Sequence, residues 1–231
     1  MDERIPAALF DFDGTLTTQD SFRGLLRLAW RRQPWRFALA MVLFPLLALT
    51  VPLGIDRRYV KSWLLWSITV GKGHRRALLD LRSWSRTLAQ GDFFWREDAV
   101  ARYRIHQSAG QKVIVCTASA SEWVTEMLES AGLPIDVVVA SPIGYRWGGL
   151  VWVGTNCYAA EKTMYLERWM RVARSPRLGF VAAYSDHPSD APLLNLADLA
   201  WVVLRHEGDR LRFQKALGVP WKTLSDERDP H

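Results

Sequence analysis

A chain of 231 residues with 49% apolar content can hold one sizeable core and a smaller accessory unit, and it is not a polytopic membrane protein. Its net charge of +6 is unevenly spread: residues 20–76 carry 11 Lys and Arg against Asp20 and Asp56, a net of +9, which leaves −3 for the remainder. Two cysteines, Cys116 and Cys157, are too few for a disulfide framework or a zinc site, and no nucleic-acid-binding module is recognisable.

The opening "MDERIPAALFDFDGT" is acidic and runs into a strand, so it is not a secretory signal, and the catalytic part is expected in a reducing cytoplasm. "AALFDFD" reads as a buried strand with Gly14 as its breaker. In an ideal strand Asp11 and Asp13 share a face, and crowded carboxylates need a cation or a proton to relieve them. Asp20 or Ser21 is placed to cap a helix through "FRGLLRLAWRR", which stops before Pro34. From Phe37 to Ile55 there follow 19 residues without a charge, about the ~20 needed to cross a bilayer, interrupted by Pro45, Pro52 and Gly54. "DRRYVKSWLLWSITVG", "HRRALLDLRSWSRTLAQ" and "REDAVARYRIHQSAG" have helical patterns.

Beyond Gly110 the rhythm changes. "KVIVCTAS" predicts a strand, "SEWVTEMLESAG" a helix with Ser121 placed to cap it, "IDVVVAS" a strand and "PIGYRWGGLVWVG" a hairpin. "EKTMYLERWMRV" predicts a helix, "LGFVAAYSD" a strand, "DAPLLNLA" a short helix and "LAWVVL" a last strand, before a loose tail "SDERDPH". Alternating strands and helices predict an α/β fold with a parallel sheet covered on both faces.

Carboxylates and donors recur at the predicted strand ends. Asp186 and Asp190 in "YSDHPSD" can join Asp11 and Asp13 in an oxygen-ligand site for a hard cation such as Mg²⁺. "CTAS" offers the hydroxyls of Thr117 and Ser119, and Lys162 begins a helix after a Gly-rich hairpin. His187 has no assigned role and reads as a surface-loop histidine.

These four motifs, in this order, resemble the haloacid dehalogenase-like (HAD) phosphatases, and "GQKVIVCTASASEW" with the large insert resembles the branch that includes phosphoserine phosphatase. The resemblance implies a Rossmann-like core of residues 1–19 and 93–231 and a helical cap of residues 20–92. It implies Asp11 as nucleophile, Asp13 as acid and base, and Mg²⁺ held by Asp11, the Asp13 carbonyl and Asp186, with Asp190 orienting Lys162 and metal-bound water. Gly14, Thr117, Ser119 and Lys162 would hold the phosphate.

If Asp11 is to meet Thr117, Lys162 and Asp186, a single membrane crossing between them is excluded. Arg31, Arg32 and Arg36 precede the apolar segment and Arg57, Arg58 and Lys61 follow it, so both ends carry the positive flank of a cytoplasmic side. A re-entrant hairpin or an interfacial helix pair at residues 37–55 is expected, on the cytoplasmic face of a bacterial inner membrane with anionic lipid as partner. The alternative is a soluble cap that packs the segment internally. Twelve Trp residues suit an interface, though Trp84, Trp123 and Trp169 are also core candidates. "RRQPWRFALAMVLFPLLALTVPLG" and "GGLVWVGTNCYAAEK" resemble bacterial phosphatidylglycerophosphatase C, which removes the terminal phosphate of phosphatidylglycerophosphate. That resemblance implies a phospholipid substrate. The competing expectations are another lipid phosphate, a soluble phosphomonoester such as phosphoserine, or a non-catalytic lipid-binding protein.

Overall fold

The computed structural model describes residues 4–50, 57–91, 94–173 and 177–224. In chain order these form β1 (Ile5–Phe10), α1 (Ser21–Arg32), α2 (Pro34–Thr50), α3 (Arg57–Thr69), α4 (His74–Ala89), α5 (Glu97–Ser108), β2 (Lys112–Thr117), α6 (Ser121–Ser130) and β3 (Val137–Ala140). There follow β4 (Ile143–Arg146), β5 (Gly149–Trp152), α7 (Glu161–Val172), β6 (Leu178–Ser185), α8 (Ala191–Leu194), β7 (Ala200–Val202), α9 (Glu207–Ala216) and β8 (Trp221–Thr223).

The apolar runs stack as one parallel sheet in the order β3-β2-β1-β6-β7-β8. Period-two alternation sends Ala8, Phe10, Val113 and Val115 to one face, where α1, α4, α5 and α6 supply Leu25, Trp84, Tyr103 and Trp123. Ala7, Leu9, Ile114 and Cys116 face the other way, toward Leu166, Leu193 and Phe213. Both faces are therefore covered, as the continuous apolar strands require. The chain builds β1, β2 and β3 outward, then returns to place β6 on the free side of β1. That reversal makes the C-terminal end of β1 a topological switch point, where ligands bind in open α/β sheets.

Two elements escaped the sequence. "LAWVVL" is not the last strand: α9 and β8 follow β7. α9, "EGDRLRFQKA", buries Phe213 but exposes Leu211, so it carries no apolar stripe, and β8 is only three residues long. Ser121 does not cap α6. Ala120 holds the cap position, and the Ser121 hydroxyl donates to Glu122 instead (3.2 Å). At α1 it is Asp20 that caps, accepting from the Arg23 N–H (2.8 Å).

The helical insert leaves and rejoins the sheet through a paired neck. Thr17 bridges antiparallel to Trp95, the Thr18 N–H donates to the Phe94 carbonyl (2.9 Å), and the Arg96 N–H donates to the Leu16 carbonyl (2.9 Å). The expected boundary at residues 92 and 93 lies outside the described residues, as do Pro52, Gly54 and the tail. The β4–β5 hairpin, though late in the sequence, packs on the insert. Leu150 N–H donates to Thr69 Oγ1 (2.8 Å), Trp152 N–H to Ser62 Oγ (3.2 Å), and Trp66 Nε1 to the Trp147 carbonyl (2.8 Å).

Within the apolar segment, α2 runs unbroken across Pro45, which the sequence suggested as an interruption. A proline removes one ladder hydrogen bond, and here the turns on either side continue the helix. The 17 residues of α2 span roughly 25 Å at ~1.5 Å per residue. Among the described residues no helix is long and apolar enough to cross a membrane.

Candidate active site

β1 ends at Phe10, so Asp11 and Asp13 do not sit in the strand as the sequence suggested; they lie in and just before the tight turn Phe12–Leu16. The turn still delivers both to one cavity of about 200 Å³. Thr117 at the end of β2, Ser119 just after it, Lys162 in the first turn of α7, and Asp186 and Asp190 after β6 line the same cavity. The expected cluster is thus brought together, at the carboxyl ends of three neighbouring strands. The insert supplies the roof through Phe22, Lys61 and, on the hairpin it carries, Trp152.

The turn depends on Gly14. Its φ of +87° is a left-handed value, and a Cβ there would collide with the Asp186 carboxylate. Any larger residue would push the acidic loop after β6 away from Asp11.

Lys162 is buried among the carboxylates. Its Nζ donates to Asp11 Oδ1 (2.6 Å) and Asp190 Oδ2 (2.7 Å). Burial alone would lower the ammonium's pKa, but the Asp11 and Asp190 charges outweigh it and hold the group above its ordinary value. Lys162 is therefore a fixed cation. The second oxygen of Asp11 accepts from Thr15 Oγ1 (2.9 Å), and Ser185 Oγ donates to Asp190 Oδ2 (2.7 Å). Burial raises the pKa of Asp190.

Asp13 is held differently. Its Oδ1 accepts from the Ser21 backbone N–H (2.6 Å) and its Oδ2 from Ser119 Oγ (2.5 Å). Loss of water and then the Asp20 charge push this carboxyl up to about 6, against the pull of those hydrogen bonds. Ser119, expected on the phosphate, is thus engaged with Asp13, while Thr117 Oγ1 accepts from the Ser119 N–H (3.0 Å). Thr15, Ser185 and Arg205 were not singled out from sequence, and Lys61 was read only as a flank of the apolar segment. The first two flank motif aspartates, which is the only signal that marks them.

The donor set fits a hard cation. Among the described residues Asp186 Oδ2 and Asp190 Oδ1 are buried without a hydrogen-bond partner, and the Arg205 guanidinium lies against Asp186 Oδ2. Among the described residues no three acidic, His or Cys side chains converge as a closed cage. Mg²⁺ needs none, since it is held by one or two carboxylates and keeps waters and substrate oxygens.

A parallel α/β sheet that aims paired carboxylates and a buried lysine at one cavity defines a class of Rossmann-like enzymes acting on anionic groups. A model of the haloacid dehalogenase-like hydrolases matches residues 8–195, and the chain belongs to that family. Protein CicA of Caulobacter vibrioides (strain NA1000 / CB15N) is 31% identical over 195 residues, 82% of each chain. Among solved structures, a protein of unknown function from Bordetella pertussis Tohama I is similar at a TM-score of 0.73 and 22% identity, over 96% of this chain and 100% of that one. Phosphoserine phosphatase in its apo form gives 0.58 at 12% identity, over 95% and 94%. Cytosolic 5′-nucleotidase IIIB bound to cytidine gives 0.57 at 14% identity, over 96% and 81%. These three share the fold.

Proposed function

We propose that the protein is a Mg²⁺-dependent phosphatase working at the cytoplasmic face of a bacterial inner membrane, where it converts phosphatidylglycerophosphate to phosphatidylglycerol. The observation that carries the reaction type is the Asp11–Lys162 pair at 2.6 Å, with Asp13 lining the same cavity. Asp11 attacks the phosphorus and forms an aspartyl-phosphate as the P–O bond to the leaving alkoxide breaks. Asp13 gives that alkoxide its proton, then takes one from the water that attacks the phosphoenzyme and returns Asp11 and inorganic phosphate. Lys162, Thr117 and the backbone around Gly14 hold the phosphoryl oxygens. Asp11, the Asp13 carbonyl and Asp186 would hold Mg²⁺, with Asp190 orienting Lys162, and the ion would supply further charge neutralisation there.

The lipid part rests on α2. Its Arg36 turns inward and donates to the Ser67 (3.0 Å) and Val70 (2.9 Å) carbonyls, while Trp35, Phe37 and Val42 are exposed. α2 meets α3 through the Trp63 Nε1 bond to the Ala40 carbonyl (3.2 Å), and α3 puts Lys61 in the roof of the cavity. An apolar face therefore lies one helix from the catalytic opening. The resemblance of the insert to phosphatidylglycerophosphatase C supports this reading.

Mg²⁺-dependent phosphate release from phosphatidylglycerophosphate, phosphatidate and phosphoserine, compared at equal concentration, tests it. Phosphatidylglycerophosphate should be turned over fastest, and Asp11→Asn should lower the rate by at least ~10³-fold with folding retained. Phosphoserine as much the best substrate would remove the lipid reading and leave the phosphatase. Near wild-type turnover by Asp11→Asn would end the nucleophile assignment.

A further inference from the structure

A second recess opens beside the catalytic cavity. It is a groove of about 850 Å³ whose walls carry four arginines, Arg23 and Arg27 from α1, Arg96 from the neck, and Arg205 from the loop after β7. Asp13, Asp20 and Arg205 line both recesses, so the two adjoin. Arg23 and Arg27 are four apart and share one face of α1.

We infer that this groove is a second anion subsite, which seats the phosphodiester of a substrate whose terminal phosphomonoester lies against Asp11 and Lys162. The inference deepens the reading above and rests on it.

Charge supports the assignment. Four guanidinium groups face the groove against two acidic residues, Asp13 and Asp20. Asp20 is already used: Oδ1 caps α1 on the Arg23 N–H (2.8 Å), and Oδ2 lies 4.0 Å from Arg23 Nε. The Arg23 side chain is 83% exposed, so that pair leaves most of its donor fork open to the groove. Arg27 forms no ion pair among the described residues. Guanidinium donors match phosphate oxygens in a planar fork, which is the recognition a phosphodiester offers and a lone hydroxyl does not. Position supports it too. A substrate with one phosphate would leave the groove to water, whereas a second anion a few bonds away would be set beside Arg205, which lines both recesses. Arg205 has a place in both recesses: its guanidinium lies against Asp186 and is half-exposed toward the groove.

The test uses two soluble compounds. Glycerophosphoryl-glycerol phosphate carries the phosphodiester and the terminal phosphate without acyl chains; glycerol 3-phosphate carries the monoester alone. The wild-type protein should favour the first in kcat/KM by at least tenfold, and that ratio should fall at least tenfold in the Arg23→Ala/Arg27→Ala variant. Arg23→Lys/Arg27→Lys should recover part of it. Arg31→Ala, on the same helix but outside the groove, should leave the ratio where it was. Melting curves of each variant check the fold. A wild-type ratio near one, or a ratio kept by the double alanine variant, overturns the subsite while the phosphatase stands. A variant that keeps the ratio but no longer binds anionic vesicles also overturns it, because the arginines would then serve membrane headgroups. Release of phosphate from neither compound, where the wild-type protein releases it from phosphatidylglycerophosphate, overturns the subsite while the phosphatase stands.

Discussion

Asp13 and Lys162 show how one cavity sets two side chains to opposite tasks. The Asp13 carboxyl accepts from Ser21 and Ser119, and Ser21 Oγ in turn accepts from the buried Trp123 Nε1 (3.2 Å). Even so, loss of water dominates and pushes the group up to about 6, so its acid form persists closer to neutral pH, as a proton donor to an alkoxide needs. The shift has a stability consequence of definite sign. The folded pKa lies above the ordinary 3.8, so between about pH 4 and 6 the native state binds more proton than the unfolded chain. Its contribution is therefore present at the acid end and is lost as pH rises through 6. In chelator, the urea midpoint should fall across this window, and Asp13→Asn should remove that part of the slope. An unchanged slope in the variant would place its source elsewhere. Asp11, Asp13, Thr117, Lys162, Asp186 and Asp190 were legible because the order of motifs names them. Ser119 was legible as a site residue but not in its partner, because a hydroxyl two residues past a strand gives no sign of which acceptor it meets.

The β4–β5 hairpin shows what an element can conceal. Glycines and alternation announced a hairpin, yet nothing in "PIGYRWGGLVWVG" says that it leaves the sheet for a helix some eighty residues earlier. The contact is specific. Leu150 is fully buried, and its N–H points at Thr69 Oγ1, whose own proton goes to the Leu65 carbonyl (2.8 Å). Gly149 lies so close to Trp66 that a Cβ would approach its ring to 2.7 Å. Thr69→Val keeps the shape and strands the Leu150 donor, at a cost of about 1–3 kcal/mol. Chemical denaturation should show that loss, and a variant as stable as the wild type would mean that the hairpin is not locked there. The sheet itself was readable for the opposite reason: fully buried parallel strands are apolar throughout and stand out from their flanks. α9 and β8 lack that contrast, being charged in one case and very short in the other. Their packing comes from Phe213 and from pairing with β7, both of which are tertiary.

At the scale of the molecule, the paired neck ties a basic helical roof to a sheet that carries the acidic chemistry. The roof contributes Phe22, Lys61 and Trp152 to the lining of the cavity that holds Asp11. Outside, α2 presents Trp35 and Phe37 at 57% and 45% exposure. Trp35 lies under the Arg36 guanidinium (4.3 Å) and Phe37 packs edge-on against Trp30 (5.1 Å), so both rings are oriented although half in water. If this face rests in the headgroup layer, each ring loses water on binding and contributes on the order of 1 kcal/mol or more, with the basic flank adding a screened electrostatic pull. Trp35→Ser/Phe37→Ser should therefore weaken partition onto anionic vesicles by roughly tenfold or more, about 1.4 kcal/mol. High salt should weaken wild-type binding through the electrostatic part alone, leaving the aromatic part measurable. The same variant should lose more activity on lipid presented in vesicles than on lipid dispersed in detergent, because dispersal brings the substrate to the cavity without the membrane. Vesicle flotation equal to wild type, with an unchanged melting curve, would show that α2 is not the contact and that any lipid reaches the site by another face.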